Sequence, residues 1–217
     1  MALFPHDSFV VVDIPARLAL HVRGLRRDYG SARQFLPAEI TLAGSSGVGV
    51  FAAEQDADEA LRALGRIAGA SQPFDFELGA VERFPDSGLF YYAIKDPAPL
   101  VALHQRLVTS GLRFKPSSFA FSPHLTIDTF EDATPQLEAE LRALPVPAGL
   151  HRAASISVYS LHGWETAASC RPMSWELQSV VAVHQELVSA GSDSNARSAR
   201  AEQQLHSWVT DTPPLAG

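Results

Sequence analysis

The sequence predicts an α+β fold in which two duplicated β-α-β-α-β lobes pack about a pseudo-two-fold axis and enclose a central cleft. Three observations support this. Apolar residues switch between strand and helix periodicity in the same order twice along the chain. The turn Pro85-Asp86-Ser87-Gly88 separates the two passes. Two short stretches, Leu36-Pro37-Ala38-Glu39-Ile40-Thr41-Leu42 and Ser122-Pro123-His124-Leu125-Thr126-Ile127, occupy corresponding places in them.

In the first pass, the β-branched run Ser8-Phe9-Val10-Val11-Val12 reads as a buried strand, and Asp13-Ile14-Pro15 opens a helix with proline in its first turn. Leu18, Val22, Leu25 and Tyr29 recur at helical spacing until Gly30 closes the helix. The Glu39 stretch is a strand, and residues 43–49 form a glycine-rich connector that lacks the lysine and fixed spacing of a phosphate loop. A second helix starts at Asp56, with Glu59 completing a capping box and Leu61, Leu64 and Ile67 or Ala68 on its apolar face. Phe74 to Phe84 alternates as one half-exposed strand.

The second pass repeats this order. Leu89 to Ile94 is a strand, and Asp96-Pro97 opens a helix carrying Leu100, Leu103 and Leu107 that ends at Gly111. The His124 strand follows, then a helix opened by Thr134-Pro135 with Leu137, Leu141 and Leu144. Ser155 to Leu161 and Trp175 to Val183 supply the last strands. Pro15 and Pro97 lie 82 residues apart, His21 and His104 83, and Glu39 and His124 85, a drift that small loop insertions absorb.

With 217 residues, 46% of them apolar, the chain can bury a full core. The organisation expected is one bilobal domain over residues 1–188, with lobes at about 8–85 and 88–185, followed by a polar, flexible tail at 189–217. The single Cys170 excludes an intramolecular disulfide, and the chain shows neither a leader pattern nor a membrane-length apolar run, so a cytoplasmic monomer away from membranes is expected. A formal net charge of -7 argues against broad binding to duplex DNA. Arg17, Arg23, Arg26, Arg27 and Arg33 read as solvated helix and loop faces, whereas Arg113 and Lys115, just before the His124 strand, are placed to attract an anion.

The paired stretches carry the chemistry. Strand side chains alternate between faces, so His124 and Thr126 share one face while Leu125 and Ile127 share the other. Glu39 and Thr41 repeat this against Ile40 and Leu42. An imidazole titrates near neutrality and serves as acid or base, and hydroxyls donate to phosphate oxygens.

On these two stretches, over roughly Ser8 to Val183, the chain resembles the 2H phosphoesterase superfamily, in particular its 2′-5′ RNA ligase and cyclic phosphodiesterase branch. The resemblance implies a bilobal fold with two His-x-Thr/Ser motifs facing a cleft that binds a phosphodiester. By this resemblance His124, Thr126 and Thr41 carry over directly, and Glu39 stands where the other motif histidine belongs. The implied activity is acid-base catalysis, without metal or other cofactor, on a 2′,3′-cyclic phosphate or a 2′-5′-linked nucleotide or RNA end. His124 and Glu39 are the catalytic candidates; Thr126, Thr41, Lys115 and Arg113 are the substrate-binding candidates.

An ionised Glu39 about 4 Å from a phosphate repels it by ~1 kcal/mol in water-like surroundings and ~4 kcal/mol near a protein surface. Glu39 therefore either holds a proton when ligand binds, turns away, serves a different substrate, or records loss of activity. Protonated, it would act as general acid to His124 as base. The rival reading is a catalytically inactive protein that keeps the cleft to bind a nucleotide or another small ligand. The other residues are given structural roles: His21 and His104 lie on helix surfaces, His151, His162 and His184 lack metal-ligand spacing, Phe119 and Phe121 are core unless one stacks on a base, and one of Tyr91 and Tyr92 faces outward.

Overall fold

The computed structural model describes residues 3, 4, 6–160 and 173–176, all within one compact unit, Met1–Val180. The expected last strand beyond Glu176, Leu161, His162, His184 and the tail at 189–217 lie outside the described residues.

The chain runs β1 (Ser8–Asp13), α1 (Ala16–Asp28), a 3-10 turn (Ala32–Phe35), β2 (Glu39–Ala43), α2 (Ala57–Gly69), β3 (Phe74–Phe76) and β4 (Leu78–Arg83). It then runs β5 (Leu89–Ile94), α3 (Ala98–Val108), β6 (His124–Thr129), α4 (Pro135–Arg142), β7 (His151–Ala153), β8 (Ser155–Ser160) and β9 (Met173–Glu176). Local signals explain the helix starts. The Asp56 carboxylate accepts from the Glu59 amide at 2.9 Å, and the Thr134 hydroxyl accepts from the Leu137 amide at 3.2 Å, each satisfying a first-turn N–H. Gly30 and Gly111, at φ 70° and 80°, lie just beyond the ends of α1 and α3.

Seven strands form one sheet in the order β4-β5-β6-β2-β1-β8-β9, while β3 and β7 pair separately. Exchanging the two halves of the chain (β1 for β5, β2 for β6, β3 for β7, β4 for β8) reverses the first six strands of this order onto themselves and returns the β3-β7 pair to itself. A pseudo-two-fold axis therefore passes between β2 and β6, and β9 is the addition that breaks the symmetry. The fold expected from the sequence is present, with each half giving its last strand to the other: β4 pairs with β5, and β8 with β1.

The core lies on the helix-covered face, where Val10, Val12, Ile40, Leu42, Leu125 and Ile127 pack with Leu18, Val22, Leu64, Leu100 and Leu107. The expected single strand from Phe74 to Phe84 divides at Glu77 between the two sheets, and a bulge between Leu78 and Val81 changes its facing, so that Val81 rather than Ala80 is buried.

Candidate active site

β2 and β6 meet at the register pair Ile40–Leu125, the middle residues of the two motifs, so the pseudo-two-fold passes through the motifs themselves. Ile40 and Leu125 are fully buried against the helices, whereas Glu39, Thr41, His124 and Thr126 are half-buried on the opposite face. Carrying the antiparallel register one residue each way sets Glu39 across from Thr126 and Thr41 across from His124. Glu39 and His124 then lie on the diagonal, where neighbouring-strand Cβ atoms are separated by roughly 7 Å.

The outer strands extend this grid. Asp13 of β1 pairs with Glu39, and Tyr91 of β5 pairs with Thr126 on one side and Glu82 on the other, so polar residues flank both motifs. Both flanks are tied down. Asp13 accepts hydrogen bonds from the Ser155 and Ser157 hydroxyls, both at 2.6 Å, and from the Tyr159 hydroxyl at 3.1 Å. On the other flank the Tyr91 hydroxyl donates to Glu82 at 3.2 Å.

His124 is held tightly. Its Nδ1 lies 2.7 Å from the Ser122 carbonyl, which can only accept, so Nδ1 carries the proton and Nε2 is left as the basic nitrogen of the neutral ring. The ring packs against the edge of Phe84 at 4.9 Å and beside Tyr91 at 5.1 Å. Burial among these rings moves the imidazole pKa below its usual 6.5; the Ser122 bond opposes the shift and the Arg33 charge adds to it.

Glu39 moves the other way. Burial pushes its carboxyl up to about 7, although the side chain keeps some solvent contact. The Thr41 hydroxyl, which donates to both carboxyl oxygens at 3.2 and 3.1 Å, opposes the shift, as do Arg26 and Arg33, while Asp13 adds to it.

Two cations that sequence reasoning placed on solvated surface thus act on the motif pair. Arg26 is 3% exposed, and its guanidinium spends its donors on backbone carbonyls: Thr126 at 2.9 Å, Ile127 at 2.8 Å, Leu36 and Pro37 at 3.1 Å, and Arg33 at 3.3 Å. The signal in the sequence was its place one turn beyond Val22 on the apolar stripe of α1. Asp128, 2% exposed, supplies a nearby countercharge, yet burial still lowers the Arg26 pKa to about 10.

Arg113 and Lys115 are exposed and engaged: Arg113 donates to the Glu54 carbonyl at 2.6 Å, and Lys115 pairs with Asp7 at 2.7 Å. His104 is not on a helix surface. It is 7% exposed, donates through Nδ1 to the Leu42 carbonyl at 2.7 Å, and stacks on Phe121 at 3.8 Å. Half-buried His21 shares a 3.2 Å hydrogen bond with the Tyr92 hydroxyl. Tyr91 and Tyr92 are both buried, and Phe119, expected in the core, is 71% exposed.

No group of three or more His, Cys, Asp or Glu residues is arranged to hold a metal ion among the described residues. No helix there is long and apolar enough to cross a membrane.

The family model described as the 2'-5' RNA ligase superfamily matches residues 14–169. The chain belongs to that superfamily. A Shouchella clausii protein bearing a provisional phosphoesterase name is 30% identical over 105 residues, 48% of this chain and 59% of the relative. The matched stretch therefore spans less than two thirds of that relative's length. Among solved structures, E. coli LigT complexed with 3'-AMP is similar at 20% identity with a TM-score of 0.52, over 81% of this chain and 99% of LigT. E. coli LigT complexed with phosphate is similar at 17% identity with a TM-score of 0.51, over 81% of this chain and 99% of LigT. These structures share the fold seen here.

Proposed function

We propose that this protein is a phosphodiesterase that opens a 2′,3′-cyclic phosphate, or cleaves a 2′-5′-linked nucleotide or RNA end, with Glu39 in the place of one motif histidine. The observation that carries the reading is the opposite displacement of the two diagonal groups. His124 stays neutral to a lower pH than a free imidazole, and Glu39 keeps its proton up to about pH 7. Near neutrality the pair is therefore a base and an acid ready for use.

In the hydrolytic step, His124 Nε2 takes a proton from water as the water oxygen bonds to phosphorus. The bond from phosphorus to one ribose oxygen breaks, and the Glu39 carboxyl protonates that oxygen. His124 then carries the extra proton and Glu39 the negative charge, and proton exchange with solvent restores both. Thr126 and Thr41 donate to the nonbridging oxygens, where transition-state charge is redistributed. Thr41 has a second duty. When its hydroxyl turns from Glu39 to the phosphate, the carboxylate loses a stabilising donor, so ligand binding itself strengthens the hold of Glu39 on its proton. Arg113 and Lys115 contribute weaker attraction to the anion from exposed positions.

The 3'-AMP and phosphate complexes of LigT, a protein of the same fold, support nucleotide phosphate as the ligand class. The test is hydrolysis of a 2′,3′-cyclic nucleotide by wild type, Glu39→Gln and Glu39→His. Turnover by wild type, its loss in Glu39→Gln and a gain in Glu39→His fit a working acid. Silence in all three, with nucleotide binding retained, fits the rival ligand-binding protein.

A further inference from the structure

The strands bearing the two motifs form the weakest seam of the sheet. β1 and β2 share register pairs from Val10–Ala43 to Asp13–Glu39, and β5 and β6 share pairs from Leu89–Thr129 to Ala93–His124. Between β2 and β6 a single pair, Ile40–Leu125, is in register. On the Glu39 and Thr126 side β2 ends at Glu39 while β6 runs on to Thr129 with no β2 partner in register, and the Arg26 guanidinium stands at that end.

The hydrogen bonds show what it does there. Nε and Nη2 donate to Ile127 and Thr126 of β6, while Nη1 donates to Leu36 and Pro37 on the approach to β2 and to Arg33 in the preceding turn. A bulge makes the first pair of acceptors possible. Tyr91 pairs with Thr126 and Phe90 with Asp128, so Ile127 is the extra residue on β6, and two successive carbonyls, which alternate sides in a regular strand, both reach one guanidinium. The planar fork of arginine meets both sets of carbonyls at once; the point charge of a lysine ammonium does not.

We infer that Arg26 is a positioning residue, a buried bridge that replaces the missing ladder and sets the spacing between the strand bearing Glu39 and Thr41 and the strand bearing His124 and Thr126. It touches no reacting atom in the proposed reaction. Its backbone acceptors include Thr126 itself and Pro37, two residues before Glu39, so a change in its reach moves one motif relative to the other. This role deepens the phosphodiesterase reading and rests on it for its kinetic consequence, while the bridge can be tested independently.

The experiment compares wild type, Arg26→Lys, Arg26→Met and Leu64→Ala, a core truncation in α2 that removes none of the Arg26 hydrogen bonds and serves as a stability control. Turnover of a 2′,3′-cyclic nucleotide and amide hydrogen exchange are measured on each at a temperature where the variant is folded. Misplacement of reacting groups by about 1 Å costs up to roughly 100-fold in rate. Arg26→Lys is therefore expected to lose roughly 10- to 100-fold in kcat with KM changed less than about threefold, and Leu64→Ala to keep its kcat. Exchange at the amides of His124–Thr129 should accelerate at least about tenfold in Arg26→Lys relative to those of Ser8–Asp13. If Arg26→Met does not fold, Arg26→Lys decides. Unchanged kcat and unchanged β6 exchange in folded Arg26→Lys overturn the inference, as does a kcat loss of equal size in Leu64→Ala. If wild type shows no turnover, the phosphodiesterase reading fails and the exchange comparison alone decides the bridge.

Discussion

The two motif strands occupy equivalent positions about one axis and share a threonine, Thr41 and Thr126, but carry different ionisable groups two positions earlier, Glu39 and His124. At the His124 position, burial favours the neutral imidazole and moves its pKa down; at the Glu39 position, the same burial favours the neutral carboxylic acid and moves its pKa up. Burial acting on a base on one strand and an acid on the other favours the neutral form of each, the two protonation states that the proposed acid-base reaction uses. On the proposed reading, in which Glu39 stands where a second histidine would, the pair has a cost in charge. Two histidines poised for the reaction would share one positive charge, whereas neutral Glu39 with neutral His124 carries none, so attraction to a phosphate would fall to the arginines whose charges act on the pair, Arg33 and Arg26.

The largest expected effect comes from removing the base. His124→Ala should lower kcat/KM for a cyclic phosphate by roughly 100- to 10,000-fold, the range for a positioned proton-transfer group, as measured by steady-state kinetics. If His124→Ala retains wild-type turnover, the two strands are not the acid and base sides of one site. Restoring the symmetry is the second way to sharpen the comparison. Glu39→His should raise kcat/KM at neutral pH, and competition by inorganic phosphate should tighten, because the pair regains a cation.

The comparison also predicts a stability difference with a definite sign. Folding raises the Glu39 pKa from 4.5 to about 7, so it favours the protonated carboxyl. That preference is fully present below 4.5 and is lost as the pH rises through about 7. Glu39→Gln removes the dependence. In urea unfolding it should match wild type at about pH 4 and exceed it at about pH 8, by at most about 3 kcal/mol, with solvent contact reducing that figure. Equal stabilities at both pH values would show that Glu39 is not held in its acid form.

The smallest effects belong to the exposed cations. Arg113→Ala and Lys115→Ala should each raise KM about two- to threefold at low salt, with the difference shrinking at high salt, since exposed charges engaged with Glu54 and Asp7 act weakly and are screened.

Much of this was legible in the sequence because local rules carried it. The proline-led motifs, the capping residues Asp56 and Thr134, and the strand alternation at residues 39–42 and 124–127 specify their own conformations. The recurrence of those elements identified the pseudo-two-fold. What was not legible depended on long-range pairing. No local pattern says that β4 leaves its own half to pair with β5, or that the run from Phe74 to Phe84 breaks at Glu77 to serve two sheets. Arg26 was misread for the same reason: an arginine among arginines looks solvated until the Ile127 bulge and the open seam supply carbonyls for its fork. His104 likewise gained its buried place from the Leu42 carbonyl and Phe121, residues far from it in sequence.

The most direct test of the central claim is the pH dependence of kcat/KM for a 2′,3′-cyclic nucleotide, measured for wild type and Glu39→Gln. For wild type the account predicts a bell whose acid limb lies below the free-histidine value of 6.5 and whose alkaline limb lies at about 7. In Glu39→Gln the residual activity should keep the acid limb and lose the alkaline one. An alkaline limb that survives unchanged in Glu39→Gln would contradict the account, because the essential acid would then be another group.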